Sequence, residues 1–275
     1  MKKTATIILN RNLPEETNAL VEHLMKVDDD YTDIFVVEAG SDKDNLSKYC
    51  TWHVDSKEVV KDGLRYSRGM NYGLLQLWNS GNWEKYDSFF LVTNDTKLPV
   101  GQETIKTLQT LLDSHPRVGL ISPCSEEWGE KNLIGPDSIK YFWFIHNNAY
   151  FLRREFIDQL INIDNPTYFN FLFDSSNFRG YLSEGEVIAK AYANDWAAAI
   201  TTQVYAEEDE SHLIDKSYLI KTETYEENMQ LYIEEGMKWI KKKYGFNSRW
   251  QMMQYVKLFY DKFFEYYPEE KTKKL

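Results

Sequence analysis

The sequence predicts an α/β fold: a mostly parallel central sheet flanked by helices, followed by an extension made of helices alone. Three observations predict it. Short apolar or β-branched runs at 4–9, 33–38 and 86–92 are separated by stretches of helical periodicity, the alternation that produces a parallel sheet covered by helices. Beyond about residue 217 the strand pattern stops and only helical stripes remain. The 275 residues, 43% of them hydrophobic, suffice for one large domain or one domain plus an appendage. The boundaries that follow are 1–217 for the α/β part and 218–275 for the helical extension.

Each element has its own signal. The first strand, 4–9, is an Ile-rich β run. In the helix at 14–26, Pro14 fits the first turn, Glu15 and Glu16 favour the positive end, and Leu20, Leu24 and Val27 share a face. The run DIFVVE at 33–38 is a second strand, stopped by Ala39-Gly40-Ser41-Asp42. A short strand is expected at 49–54, a helix at 69–79, a central strand at 86–92, a helix at 103–114 and a strand at 118–122. The second half changes character: a long aromatic strand at 140–152, a helix at 154–160, an aromatic loop at 165–179, a helix at 185–194 and a last strand at 197–205. In the extension, Met229, Ile233, Met237, Ile240 and Tyr244 form one stripe, and Met252, Val256, Phe259 and Phe263 another. Gly245 to Ser248 separate them, with Ser248 as N-cap. The charged tail, 269–275, is expected to fray.

Composition excludes some functions. A formal net charge of −11 argues against nucleic acid as a partner, because phosphate binding is led by Lys and Arg. Cys50 and Cys124 have no metal-type spacing, which suits a reduced, cytoplasmic protein. The apolar stretch 5–9 is too short for a secretion signal and is cut by Asn10-Arg11. No run approaches the roughly 20 apolar residues of a membrane span.

In open α/β sheets, ligands bind beyond the carboxyl ends of the strands. Four polar clusters are expected there: Asn10-Arg11-Asn12; Glu38 with Gly40-Ser41-Asp42; Asn94-Asp95-Thr96; and Glu207-Glu208-Asp209 followed by His212. Asp95 would project from a rigid strand into the crevice. A hard divalent cation prefers such a carboxylate and completes its shell with water or phosphate oxygens. The competing reading of Asn94-Asp95 is a turn whose side chains bond their own backbone.

LVTNDTKLP at 91–99, followed by a helix and HPRVGLISP, resembles the central segment of GT-A glycosyltransferases of the large inverting family 2, in particular the rhamnosyltransferase-like branch, where LNNDT ends the corresponding strand. TIILNRN resembles the family's first nucleotide-binding strand. VVEAGSDKDN is similar to its VVDNGSTDGS, with Glu38 in the place of the base-contacting aspartate. RGMNYGL resembles the Asn-x-Gly segment before the second long helix. FRGYLSEGEVIAKAYANDW resembles the acceptor-side segment, with Asp195 at a common glycine position. The resemblance spans roughly 4–217 and implies a GT-A (Rossmann-like) fold. It also implies Mg²⁺ or Mn²⁺ held by Asp95 and His212, and a nucleoside diphosphate sugar held by Asn10, Arg11, Glu38, Ser41, Asp42, Arg68, Asn71, Asn94 and Asp95. Glu184, or else Glu186, is the implied general base. The implied reaction is inverting transfer of a hexose to a hydroxyl of a glycan, a lipid-linked sugar or a glycoprotein.

The sequence leaves other readings open. Glu184 and Glu186 also suit a helix start for its dipole alone. His212 also suits an ordinary surface position, and Arg68 and Asn71 a helix cap. A non-catalytic nucleotide-sugar- or glycan-binding relative is the alternative of a different class. A nucleotidyltransferase would want a Gly-rich basic loop where LNRNLPEE stands. The C-terminal helices carry more aromatic surface than one stripe needs. That surface suits packing on the first domain, a homodimer contact or a peripheral membrane contact.

Overall fold

β1 (Thr4–Asn10) is buried on both faces, as a continuous apolar run at the centre of a covered sheet must be. The structure is a computed structural model. It describes residues 4–161, 164–209 and 211–275, the side chains of Glu130, His212 and Leu213 excepted. After β1 come α1 (Pro14–Val27), β2 (Thr32–Ala39), β3 (Cys50–Val54), α2 (Lys57–Asp62), α3 (Arg65–Asn79), β4 (Ser88–Thr93), the two-residue β5 (Thr96–Lys97) and α4 (Thr104–Ser114). Next are β6 (Val118–Cys124), α5 (Glu130–Ile134), β7 (Ile139–Tyr141), β8 (Ala149–Arg153), α6 (Arg154–Leu160) and α7 (Ser183–Ala193). The chain ends with β9 (Ala197–Tyr205), β10 (Glu207–Glu208), α8 (Ser211–Asp215), α9 (Tyr225–Tyr244) and α10 (Arg249–Tyr266).

Eight strands form one sheet in the order β3-β2-β1-β4-β8-β6-β9-β7. β3, β2, β1 and β4 run parallel, and β6 is parallel to β9; β8 and β7 are antiparallel to their neighbours. The register aligns Asn10 with Glu38 and Leu9 with Thr93, so β1, β2 and β4 end side by side. α3 lies on β1 and β2 because it carries glycines where the strands press closest. A Cβ on Gly69 would stand 2.3 Å from Leu9 Cδ1, and one on Gly73 2.6 Å from Ile7 Cγ2.

Three expectations need correction. The aromatic run 140–152 is two strands, not one. Tyr141 pairs with Ala199 at the far edge of the sheet, whereas β8 inserts between β4 and β6. Aromatic β-propensity marks extended backbone but not its partner. The tail does not fray: a 3₁₀ turn at Pro268–Lys273 leads Leu275 N–H to Tyr141 C=O (3.1 Å), and Tyr260 Oη donates to Leu275 C=O (2.6 Å). In α9 the buried face is Gly236, Trp239 and Ile240, while Ile233 is 45% exposed. Gly236 sets that face: a Cβ there would lie 2.5 Å from Tyr181 Cβ, so only glycine lets α9 approach so closely.

The α10 stripe of Met252, Val256 and Phe263 is buried, with Ser248 Oγ accepting from Gln251 N–H as the N-cap. α9 and α10 contribute Trp239, Ile240, Met252, Val256, Tyr260, Phe263 and Phe264 to the same hydrophobic core as β1 and β4.

Candidate active site

The four polar clusters meet at one edge of the sheet. Asn10 Nδ2 donates to Glu38 Oε2 (2.9 Å), and Asn94 Nδ2 donates to Asn10 Oδ1 (2.9 Å), which joins the ends of β2, β1 and β4. The fourth cluster is zipped onto the third: β10 pairs with β5, Glu208 opposite Thr96, and Asp209 N–H donates to Asp95 C=O (3.0 Å). This short two-stranded ladder delivers the segment after β9 to the Asp95 turn.

A cavity of 170 Å³ opens beyond these strand ends. Among its lining residues are Asn10, Arg11, Asn94 and Asp95 from the expected set, with Arg65, Ile220 and Thr222. Arg11 Nη2 donates to the carbonyls of Val60 (3.1 Å) and Lys61 (2.9 Å), which aims the guanidinium along the cavity wall. Burial, and then the neighbouring Arg65 charge, pull the Arg11 pKa down to about 10. Among the described residues, the Nε of Arg11 and of Arg65 are buried without a hydrogen-bond partner. Two desolvated guanidiniums with spare donors are chemically suited to a diphosphate.

A second cavity of 70 Å³ continues on the other side of Asp95, lined also by Glu16, Lys97, Asp209, Ser211, Asp215 and Lys216. Asp95 therefore stands between a basic recess and a carboxylate-rich one. Ser211 and Asp215 bring α8 to this wall. His212 belongs to the same helix, but its side chain lies outside the described residues. Among the described residues no three His, Cys, Asp or Glu side chains converge as a ready-made metal cluster. The donor set fits a hard cation that takes few protein ligands and fills its shell with phosphate and water.

The remaining expected residues divide. Glu38 is fully buried, and both its oxygens are engaged: Oε2 accepts from Asn10 and from Ser41 Oγ (2.5 Å), and Oε1 from Ser47 N–H (2.8 Å). Ser41 Oγ in turn accepts from Asn12 N–H (3.0 Å). Asp42 accepts from Lys221 Nζ (2.6 Å), which holds its carboxyl below the usual range. Arg68 and Asn71 are not brought to the cavity. The Arg68 guanidinium lies over the rings of Phe169 and Phe178, and Asn71 spends its whole amide on the 168–175 loop.

The two acids of α7 differ sharply. Glu186 is 2% exposed, and its Oε1 accepts from Tyr244 Oη (2.6 Å) and is paired with Lys243 Nζ (2.6 Å). Glu184 has no such cation among the described residues; burial pushes its carboxyl up to about 7. It lines an apolar recess with Trp143, Phe144, Leu182 and Met252. Its charge also bears on Tyr66, whose hydroxyl pKa is raised well above 10, by burial first and by Glu184 second. Leu182, at φ 68°, turns the chain into α7 from the left-handed region, a strained geometry characteristic of functional turns.

A larger chamber of 380 Å³ shares Arg65 and Thr93 with the first cavity and includes Tyr66, Asn148, Arg179 and Gly180, with Asn228, Met229 and Tyr232 from α9. Sequence reasoning missed Arg65 and the 216–224 strap. The strap is held by Lys216 to Glu16, Lys221 to Asp42, Asn12 Nδ2 to Leu219 C=O (2.6 Å) and Arg65 to Glu223 (3.2 Å). Its contacts span up to 207 positions, and no local pattern signals them.

No protein-family profile matches the chain, and no curated protein matches it in sequence. Solved structures do match in fold. TarS residues 1–349 from S. aureus, in complex with UDP, align at TM-score 0.53 and 13% identity, over 87% of this chain and 72% of that one. Glucosyl-3-phosphoglycerate synthase from Mycobacterium tuberculosis, with Mn²⁺, UDP and glucosyl-3-phosphoglycerate, aligns at TM-score 0.54 and 10% identity, over 87% and 79%. GalNAc-T7, with UDP, GalNAc and Mn²⁺, aligns at TM-score 0.56 and 9% identity over 89% of this chain; the chain spans 57% of that protein's length. The chain thus has the GT-A fold, with a mixed, mostly parallel sheet and C-terminal helices.

Proposed function

We propose that this protein is an inverting glycosyltransferase that uses a nucleoside diphosphate sugar and Mg²⁺ or Mn²⁺. The observation that carries the proposal is the meeting of Arg11, Arg65 and Asp95 at the carboxyl ends of β1 and β4, with the chain after β9 tied to the Asp95 turn. Structures of the same fold that contain UDP and Mn²⁺ support it. Arg11 and Arg65 would hold the diphosphate. Asp95 would hold the cation, with His212 as the other expected protein ligand, and Glu16, Asp209 and Asp215 line the adjoining carboxylate-rich recess. A bound cation supplies charge neutralisation for the departing diphosphate. Glu38 with Ser41 and Asn12 fixes the floor under the base, and Asp42 holds the strap through Lys221. Glu184 accepts the proton of the acceptor hydroxyl as that oxygen bonds to the anomeric carbon and the carbon–phosphate oxygen bond breaks on the opposite face. Glu186 anchors α7 to the C-terminal helices. The unit 1–217 carries the reacting groups, and 218–275 adds Ile220 and Thr222 to the donor cavity and Asn228, Met229 and Tyr232 to the chamber beyond it.

The test is hydrolysis of UDP-, dTDP- and GDP-sugars with and without Mn²⁺. At least one donor is turned over only with metal, and Asp95→Ala abolishes that turnover with an unchanged melting temperature. A donor that binds tightly and is never cleaved or transferred, whatever the metal and whatever stands at 184, supports the non-catalytic binding relative instead.

A further inference from the structure

Building on the glycosyl-transfer reading, we infer that the chamber beyond Thr93 is a subsite for an uncharged saccharide, read by the Asn148 carboxamide and the Tyr66 hydroxyl and walled by α9. Asn148 is 4% exposed and lines the chamber, yet among the described residues neither its Nδ2 nor its Oδ1 has a hydrogen-bond partner. Its carbonyl is held: Asn148 C=O accepts from Thr93 N–H (3.1 Å) and Thr96 Oγ1 (3.2 Å), which ties this residue to the end of β4. Tyr66 Oη, on the same chamber, is also buried without a partner among the described residues. A buried primary amide and a phenol without partners are costly unless something pairs with them. An amide that offers a donor and an acceptor side by side matches adjacent sugar hydroxyls, each of which donates and accepts. The aromatic walls, Tyr66, Tyr232 and His146, suit the apolar faces of sugar rings. At 380 Å³ the chamber has the size of a small-molecule site.

Charge decides the class of saccharide. Of the two arginines that line the chamber, Arg65 is shared with the first cavity, where its spare donor serves the donor diphosphate, and Arg179 is committed to carboxylates. Arg179 is paired with both Glu223 and Glu235, and Arg65 with Glu223 (3.2 Å). Glu208 adds negative charge to the wall. A phosphorylated or uronic acceptor would have to break these pairs, whereas a neutral one leaves them intact. Because Asn228, Met229 and Tyr232 face the chamber from α9, the helical extension takes part in choosing the acceptor.

Saturation-transfer NMR on the full chain with UDP and Mn²⁺ tests this. The probes are methyl α-glucoside, methyl β-galactoside, maltose and lactose, against glucose 6-phosphate and glucuronate. At least one neutral probe receives saturation, and the charged probes receive none. Asn148→Leu cuts the signal at least fivefold while UDP affinity stays within twofold. Should Asn148→Leu fail to fold, Asn148→Asp, which is isosteric but lacks the donor, gives the same loss. Silence from every neutral probe, equal signal from the charged ones, or full signal in the folded Asn148 variants each overturns the inference. The probes are also run without UDP. Failure of UDP, GDP and dTDP alike to bind refutes the donor reading and leaves the saccharide result, read without nucleotide, standing by itself.

Discussion

Glu184 is the residue at which stability and chemistry oppose each other. Its carboxyl is raised to about 7 by burial, so ionisation is harder in the folded chain than in the unfolded one. A raised carboxyl pKa means the folded state holds its proton longer; stability therefore falls as pH rises from about 4.5 to about 7 and stays lowered above it. Glu184→Gln removes that penalty. At pH 8 thermal or urea unfolding is expected to register a gain of up to about 3 kcal/mol. The same variant loses transfer by about 10²–10⁴-fold, the range of a general base. In the parent protein kcat/KM rises with pH through about 7 to a plateau. A flat profile with full activity in Glu184→Gln removes Glu184 from the chemistry. Gly63 is the second residue with a sharp expectation. Its φ is 73°, and a Cβ there would stand 2.2 Å from Arg11 Nη1. Gly63→Ala thus forces a non-glycine residue into left-handed backbone and pushes the guanidinium off the cavity wall. Calorimetry with UDP is expected to show about a tenfold weaker association, the loss of one charge-assisted contact.

At the scale of elements, the parallel strands and most helices were legible because each buries a face of fixed period. β9 falls at 197–205 as read, and β1, β2 and β4 within a residue or two. What was not legible is pairing. Nothing local separates 139–141 from 149–153, which lie on different parts of the sheet. α2 was missed because six residues carry too little periodicity. Asp195 shows how a departure can be absorbed: it sits at φ 65°, a conformation that Asp tolerates better than most residues where glycine is common. The pair of acids in α7 is likewise indistinguishable in sequence, and only packing separates them. Glu186 ties α7 to Lys243 and Tyr244 of α9. Glu186→Ala leaves Lys243 with Asp174 alone (2.5 Å) and Tyr244 Oη without its acceptor, and denaturant unfolding should show a loss of about 1–3 kcal/mol. UDP affinity is expected to hold in the same variant, because Glu186 lines neither the basic recess nor the chamber.

Across the whole molecule, the site exists because the sheet aligns three strand ends and a two-residue ladder returns the chain after β9 to the same edge. The clusters Asn10-Asn12, Glu38-Asp42, Asn94-Thr96 and Glu207-Asp209 were readable as polar strand ends, and the fold joins them by hydrogen bonds. Arg65, Arg179 and the strap were not readable, since their partners are supplied from distant segments by tertiary packing. The central claim is that Asp95 couples a divalent cation to a nucleoside diphosphate. Titration calorimetry of UDP, GDP and dTDP with and without Mn²⁺ tests it most directly. The account predicts that Mn²⁺ tightens at least one of them by tenfold or more, and that Asp95→Ala erases the enhancement while the melting temperature holds. Affinities that ignore Mn²⁺, or an enhancement that survives in Asp95→Ala, contradict it.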